Sequence, residues 1–244
     1  MGKVVYCKMN IKIFKTPKQV SDELSSYIIS NYILSRKNIA ISGGSTPIML
    51  FEEISKKLKK KKKIESNFYW IDERCVLPDS KESNFKTAND YLFKKIKIDK
   101  KNIYRIKGEN NPDDEQRRYT KLLENNLESI NKLPSIDLSV LGIGNDGHTA
   151  SIFPYQMKKF IDYNSCFVGT HPVSKQKRIS LSQNIINNSS EIIFHVTGKN
   201  KSDVVDKIIN ERGDYKLYPA SYIKPSFGKL SWYLDFDAAE NLTK

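Results

Sequence analysis

Short apolar runs alternate with longer amphipathic stretches along this chain. Runs rich in Ile, Val, Phe, Tyr and Trp predict strands, and they occupy residues 11–14, 38–42, 67–72, 102–106, 136–144, 191–198 and 231–235. Stretches with apolar residues at helical spacing predict helices, and they occupy residues 17–34, 47–58, 83–93, 201–209 and a segment that begins at Asn111. Strands that alternate with helices predict βαβ units. We therefore expect an α/β fold with a mostly parallel, Rossmann-like sheet and helices on both faces.

Three of the predicted helices carry recognisable start signals. Pro47 stands in the first turn of its helix, where a missing N–H group costs nothing. Ser83 is a residue type that caps helices, and Asn111 precedes Pro112 and two aspartates that favour the helix dipole. The chain shows neither an internal repeat nor a Pro/Gly/Ser-rich linker, so we expect one α/β domain over residues 1–244.

The first candidate site is the loop SGGSTP, which connects a predicted strand to a helix. In parallel sheets, ligands bind outside the carboxyl ends of the strands. Gly43 and Gly44 leave backbone N–H groups open to an anion, the helix N-terminus adds a favourable dipole, and Ser45 and Thr46 add hydroxyl donors. The loop is neither a Walker P-loop nor a dinucleotide fingerprint. It predicts a phosphate site, with an ordinary strand-to-helix turn as the alternative.

The second candidate site is the segment WIDERCVLP, which brings Asp72, Glu73 and Arg74 to a strand end. Neighbouring side chains on a strand point to opposite faces, so only one or two of the three would face a site. Arg74 would clamp an anion or stabilise a developing oxyanion. A surface ion-pair cluster is the alternative interpretation.

The third candidate site is the segment GIGNDGHTAS, which follows a strongly apolar predicted strand. His148 lies there in a tight turn with Asp146. A neutral imidazole can accept a proton from water near pH 7 if a neighbour fixes its tautomer, and Asp146 is the candidate for that neighbour. Residues 149–151 are expected to start a helix. A structural role for the histidine is the alternative.

Two further cations follow later in the chain. Arg178 comes just before an alternating apolar run, and Lys201 enters a helix, where an ammonium group suits a phosphate. A solvated lysine at a helix start is the alternative. We expect His195 to pack within its strand and His171 to be solvated beside Pro172. The three separated histidines have no metal-ligand spacing, and no GxSxG nucleophile motif is present.

Composition narrows the class of protein further. The net charge is +13, but the lysines are spread over the whole chain, so we favour a field that attracts anionic small substrates over a nucleic-acid patch. The block KKLKKKKK at residues 56–63 is expected to be the solvated end of a helix, with a polyanion contact as the alternative. No apolar run approaches the roughly 20 residues of a membrane span, and the N-terminus lacks a signal sequence. Three separated cysteines favour a reducing, cytoplasmic setting.

Several segments together resemble the glucosamine-6-phosphate isomerase/6-phosphogluconolactonase family. They are ISGGSTP, WIDER with Ser83 and Asn84, GIGNDGHTASIFP, RISLS and VTGKNK, and they occur in the family's order over residues 39–239. The segment GxGxDGHTASxFP is the most specific. Deaminases of this group resemble the chain but place a glutamate five residues after the histidine, where this chain has Phe153, and tend to have tyrosine in place of Arg74. Both differences favour the lactonase branch.

The resemblance implies hydrolysis of 6-phospho-D-glucono-1,5-lactone to 6-phospho-D-gluconate in the oxidative pentose phosphate pathway. It implies His148 as the general base, Asp146 as the residue that holds its tautomer, and Arg74 or backbone amides as stabilisers of the oxyanion. Asp72 would position Arg74 or contact sugar hydroxyls. The 6-phosphate would be held by Gly43, Gly44, Ser45, Thr46, Arg178 and Lys201.

The expected partner is thus a phosphorylated sugar lactone, with no metal or other cofactor, no nucleic acid and no membrane. The oligomeric state stays open, and a monomer is compatible with the sequence. Three other functions also remain open. A deaminase or isomerase on the same scaffold would release ammonia from glucosamine 6-phosphate. A sugar-phosphate sensor would need a helix-turn-helix segment, for which we see no spare length, and a nucleic-acid binder would show steep salt dependence.

Overall fold

The structure is a computed structural model that describes residues 9–59, 63–157 and 163–242. The strands are β1 (Met9–Phe14), β2 (Asn38–Ile41), β3 (Asn67–Trp70), β4 (Asp72–Arg74), β5 (Ile103–Tyr104), β6 (Ser129–Ile130), β7 (Leu133–Pro134), β8 (Leu138–Leu141), β9 (Phe167–Thr170), β10 (Lys177–Ser180), β11 (Glu191–Val196) and β12 (Lys229–Asp235). The helices are α1 (Pro17–Asn31), α2 (Thr46–Leu58), α3 (Asn84–Tyr91), α4 (Pro112–Asn126), α5 (Gln183–Asn187) and α6 (Ser202–Ile209). Residues 1–8 and 60–62, which carry the expectations for the N-terminus and for part of the lysine block, lie outside these ranges.

Within the described ranges, seven strands form one sheet in the order β1-β12-β11-β8-β2-β3-β5. All six neighbouring pairs are parallel. This sheet and its helices confirm the α/β fold expected from the alternation of the elements. The chain builds outward from β2 through β3 to β5, and then returns to the other side of β2 with β8. The order therefore reverses between β2 and β8, and a crevice is expected there at the carboxyl ends of the strands.

Capping side chains begin two helices at the positions that the sequence predicts. Ser83 Oγ accepts a hydrogen bond from the backbone N–H of Lys86 at 3.1 Å. Asn111 Oδ1 accepts from the amides of Asp113 and Asp114 at 3.0 and 3.3 Å. These bonds satisfy N–H groups that have no partner inside the helix, so the local sequence sets both boundaries.

The predicted strand at residues 67–72 is divided between two sheets. β3 ends at Trp70, and β4 joins a separate antiparallel sheet in the order β4-β10-β9. Ile71 lies at the junction, because its N–H donates to the carbonyl of Ile41 at 3.0 Å while its own carbonyl accepts from the N–H of Leu181 at 2.8 Å. Its two backbone groups thus bond to different strands. The sequence analysis did not predict this small sheet.

Two other predicted boundaries are too generous. The first helix ends at Asn31 instead of residue 34, since a short 3₁₀ turn follows and Arg36 takes a left-handed φ of 55°. The predicted strand at residues 102–106 is reduced to the two residues of β5. Helices and strands end where backbone conformation changes, which propensity alone locates poorly.

The core lies between the parallel sheet and its helices. β8 and β11 are buried along their whole length, as expected for central parallel strands that are covered on both faces. Phe194 of β11 stacks on Trp232 of β12 with ring centroids 4.3 Å apart. Among the described residues, no helix is long and apolar enough to cross a membrane.

Candidate active site

A cleft opens at the carboxyl ends of β2 and β8, where the strand order reverses. Its cavity volume is about 260 Å³, and it is lined by residues of the turn that follows β2 and of the turn that follows β8. All of the candidate residues from the sequence except Asp146 line this cleft: Gly43, Gly44, Ser45, Thr46, Asp72, Arg74, His148, Arg178 and Lys201. Asp146 reaches the cleft through its contact with His148. The tertiary structure therefore brings the separate loops of the sequence to one place.

The SGGST turn owes its shape to two glycines with different roles. Gly44 has a φ of 100°, which favours glycine, and a Cβ there would meet nothing within 4 Å. Gly43 has no space for a side chain, because a Cβ would lie 1.9 Å from Asn84 Oδ1. Within the described part of the chain, Ser45 makes no side-chain capping bond to α2. The N-terminus of α2 thus opens into the cleft, where its first N–H groups have no capping side chain from Ser45.

The turn after β8 holds an imidazole–carboxylate pair. His148 Nδ1 lies 2.5 Å from Asp146 Oδ1, and the backbone N–H of His148 donates to the same oxygen at 3.2 Å. Gly144 makes room for the pair, since a Cβ there would lie 2.1 Å from His148 Nδ1. Burial works to raise the pKa of Asp146, but the hydrogen bond and the charge of His148 outweigh it and hold the pKa below its usual range. The His148 side chain is 27% exposed, so one edge remains open to solvent.

The helix expected at residues 149–151 is absent, and that prediction was wrong. Thr149 instead forms an antiparallel bridge with Ile152, and its Oγ1 donates to the carbonyl of Gly142 at 2.8 Å. Ala150 has a φ of 53°, which a right-handed helix cannot contain. Residues 149–152 therefore form a tight turn instead of a helix.

Phe153 is a buried platform under the cleft. Its ring centroid lies 4.9 Å from that of His148 and 5.3 Å from that of His171, and the Arg178 guanidinium lies 5.6 Å over the ring. His171 was expected to be solvated, but its ring packs edge-on against Phe153, and its Nδ1 accepts from two backbone amides of the following turn. An aromatic ring at this position therefore orients three polar side chains by packing and cation–π contact.

Arg74 and Arg178 are direct cross-strand neighbours, because β4 and β10 pair with these residues opposite each other. Arg74 Nη1 donates to the carbonyl of Glu82 at 2.5 Å. Among the described residues, the buried Nε atoms of both arginines have no hydrogen-bond partner. Burial lowers the pKa of Arg178, while the nearby charge of Asp72 opposes this effect. Two like charges in direct opposition are unfavourable by themselves, and an anion in the cleft would relieve them.

Side chains from two other segments, Ser151 and Asn84, hold Asp72 in place. Its Oδ2 accepts from Ser151 Oγ at 2.7 Å. Asn84 Nδ2 donates to the Asp72 carbonyl at 2.8 Å, while the Asn84 side chain packs over Gly43. The sequence analysis names Asn84 as part of a motif but gives it no role. In the structure, Asn84 joins β4 to the SGGST turn.

Glu73 has a structural role that sequence reasoning missed. It is 2% exposed and accepts hydrogen bonds from the backbone N–H groups of Arg74, Asn84 and Phe85 at 2.8, 2.7 and 2.8 Å, and from Ser83 Oγ at 3.1 Å. Burial raises its pKa to about 6, although these amides work in the other direction. The carboxylate fixes the start of α3 beside Arg74. The sequence signal that could have indicated this role is the position of Glu73 between two candidate site residues, Asp72 and Arg74.

Lys201 lines the cleft from the turn after β11, just before α6. Its Nζ donates to Asn145 Oδ1 at 2.5 Å, and burial lowers the pKa of the amine. His195 lies nearby in β11 and is 3% exposed, as expected for a packed histidine. Burial lowers the pKa of His195 to about 4, so the imidazole is neutral at pH 7. Among the described residues, no three His, Cys, Asp or Glu side chains gather into a possible metal site.

Fold and site define an α/β protein whose switch-point cleft combines a glycine turn at a helix N-terminus, three cations and an imidazole–carboxylate pair. The chain belongs to the glucosamine-6-phosphate isomerases/6-phosphogluconolactonase family, whose family model matches residues 16–232. It is 36% identical to the 6-phosphogluconolactonase of Haemophilus influenzae over 230 residues, which cover 93% of this chain and 97% of that protein. The 6-phosphogluconolactonase of Aggregatibacter actinomycetemcomitans is 34% identical over 237 residues, which cover 96% of this chain and 100% of that protein.

A solved structure gives the same picture at lower sequence identity. The 6-phosphogluconolactonase from Trypanosoma brucei is 28% identical and superposes with a TM-score of 0.83, covering 97% of this chain and 99% of that chain. The similarity thus extends over almost the entire chain and includes every loop that contributes to the cleft.

Proposed function

We propose that this protein is a carboxylic ester hydrolase that converts 6-phospho-D-glucono-1,5-lactone to 6-phospho-D-gluconate. Relatives that carry the name 6-phosphogluconolactonase, at 34–36% identity over more than nine-tenths of the chain, support this activity. The observation that carries the mechanism is the His148–Asp146 pair in a cleft that also contains the SGGST turn. Phe153, where a deaminase would have a glutamate, supports the lactonase over the deaminase reaction.

His148 serves as the general base in this proposal. Because Nδ1 is hydrogen-bonded to the Asp146 carboxylate, the ring proton resides on Nδ1 and the Nε2 lone pair is free to accept a proton. A water molecule held at Nε2 attacks C1 of the lactone as its proton moves to the imidazole. A positioned base of this kind contributes about 10²–10⁴-fold to the rate. A δ-lactone is an activated ester, so no covalent nucleophile is needed.

The tetrahedral intermediate carries its negative charge on the former carbonyl oxygen. Arg74 or the backbone N–H groups of the glycine turns stabilise this oxyanion, and the loss of one such donor costs about 10²–10³-fold in rate. The bond between C1 and the ring oxygen then breaks, and protonated His148 returns its proton to that oxygen. The products are a C5 hydroxyl and a carboxylic acid, which ionises at neutral pH.

The 6-phosphate is held by the SGGST turn together with Arg178 and Lys201. The open N-terminus of α2 and the hydroxyls of Ser45 and Thr46 suit a phosphate, and the two side-chain cations supply charge. Asp72 contacts sugar hydroxyls or tunes the arginine pair from its position beside Ser151. Anchoring the remote phosphate orients the lactone carbonyl towards His148, which is how remote binding energy lowers the barrier.

A coupled assay with freshly generated lactone, read against spontaneous hydrolysis, tests the proposal. His148→Ala should lower kcat by about 10²-fold or more and leave thermal unfolding unchanged. His171→Ala is the matched control, because His171 also packs on Phe153 but does not line the cleft. Near-normal turnover by His148→Ala would contradict the base assignment. Ammonia release from glucosamine 6-phosphate by the wild type would instead assign the deaminase reaction.

A further inference from the structure

Lys201 is a half-buried ammonium group whose charge is not cancelled by a neighbour. Burial lowers the pKa of this amine, and the charge of Asp146 acts in the other direction. Its hydrogen-bond acceptor is the amide oxygen of Asn145, at 2.5 Å. Over residues 9–59, 63–157 and 163–242, no carboxylate lies within ion-pair distance of its Nζ. A half-buried cation that is oriented but not part of an ion pair is suited to binding an anionic group.

Asn145 belongs to the same turn as the imidazole–carboxylate pair. It lies between Gly144 and Asp146, and that turn is closed by a hydrogen bond from the N–H of Gly144 to the carbonyl of His148 at 2.8 Å. Asn145 Oδ1 also accepts from Asn200 Nδ2 at 3.1 Å. The Asn145 side chain therefore joins the turn after β8 to the turn after β11.

The residue type at position 145 matters as much as its location. An amide oxygen orients the ammonium group by one hydrogen bond but leaves its full positive charge available. A carboxylate of the same shape would form an ion pair with Lys201 and would repel an incoming phosphate. We propose that Asn145 is a positioning residue, which holds the Lys201 ammonium at the phosphate end of the cleft and so sets the preference for phosphorylated substrates. This inference rests on the proposed function of the cleft.

Steady-state kinetics on two lactones test this role. Asn145→Ala should raise KM for 6-phosphogluconolactone by about 3- to 10-fold, the size expected for one lost hydrogen bond. Asn145→Asp should raise it by about 10-fold or more, because the new carboxylate competes with the phosphate. In both variants kcat should stay within about twofold of the wild type, and kcat/KM for unphosphorylated gluconolactone should not change.

Two further comparisons isolate the Lys201 contact. In a Lys201→Ala background, Asn145→Ala should have no additional effect on KM, because the pair acts as a unit. Asn184→Ala is the control, since it removes an asparagine side chain that donates a hydrogen bond to Asn164 outside the cleft. It should leave both lactones unaffected. Calorimetric binding of 6-phosphogluconate should reproduce the order wild type, Asn145→Ala, Asn145→Asp without any turnover.

The outcomes separate this inference from the proposed function. An equal loss on both lactones, additive effects of Asn145→Ala and Lys201→Ala, or unchanged affinity in Asn145→Asp would overturn the role of Asn145. A wild type that fails to hydrolyse the lactone but binds 6-phosphogluconate with the stated order overturns the function and keeps the role. A wild type that neither hydrolyses nor binds overturns both.

Discussion

Replacing His195 with leucine should remove an acid-sensitive weakness from the fold. His195 is 3% exposed in β11, and its Nε2 has no hydrogen-bond partner among the described residues. Burial lowers the pKa of the imidazole to about 4, from an ordinary value of 6.5. Leucine has a similar volume and no charge to bury, so it should fill the same space at every pH.

The two pKa values determine the sign and the size of the effect. The folded-state pKa is the lower one, so the unfolded chain binds the proton first, and stability is lost as the pH falls from 6.5 towards 4. One pKa unit corresponds to about 1.4 kcal/mol. Between about pH 7 and about pH 5, His195 should therefore reduce the free energy of unfolding by about 2 kcal/mol.

Urea unfolding of the wild type and His195→Leu at about pH 7 and about pH 5 measures this difference. The stability of the variant relative to the wild type should rise by about 2 kcal/mol at the lower pH. Glu73, whose pKa burial raises to about 6, changes stability in the opposite sense, but it is present in both proteins and cancels. His171→Leu, at a less buried histidine, should show a much smaller rise. A relative stability of His195→Leu that does not change between the two pH values would refute the reasoning.

Two more substitutions test contacts that support the cleft. Gly43→Ala should destabilise the fold by about 1–3 kcal/mol and raise KM, because its Cβ would displace the Asn84 side chain from the Asp72 carbonyl. Urea unfolding of the double variant with Asn84→Ala checks this cause, since stability should then recover. Glu73→Gln should lower the free energy of unfolding by about 1–3 kcal/mol above pH 6, because an amide nitrogen would face backbone N–H groups of α3. An unchanged midpoint of urea unfolding would contradict that account.

Many features of the fold follow from local rules that a sequence displays directly. Short apolar runs locate the seven strands of the parallel sheet, helical spacing locates most of the helices, and the caps at Ser83 and Asn111 act through bonds within one turn of their helices. The loops SGGST and GNDGH follow strands of a parallel sheet, so the chain itself indicates that Gly43 and His148 lie at the same edge.

Other features depend on which strands become neighbours, and no local pattern specifies that. Ile71 bonds to Ile41 on one side and Leu181 on the other, and this exchange of partners transfers Asp72–Arg74 to the small sheet. The resulting register sets Arg74 directly against Arg178, although they are distant in the chain. Sequence reasoning could name both arginines as candidates but could not pair them.

The sequence by itself determined the strands of the parallel sheet, most of the helices, the two caps and the edge of the sheet on which the chemistry lies, because each depends on residues within a turn or two of one another. Only the tertiary structure decided that β2 adjoins β8, that Phe153 lies beneath His148, and that Asn145 reaches Lys201. Those contacts arise from strand order and from burial between distant segments. These contacts are stabilised by burial in the assembled core, so they do not form in the separate segments.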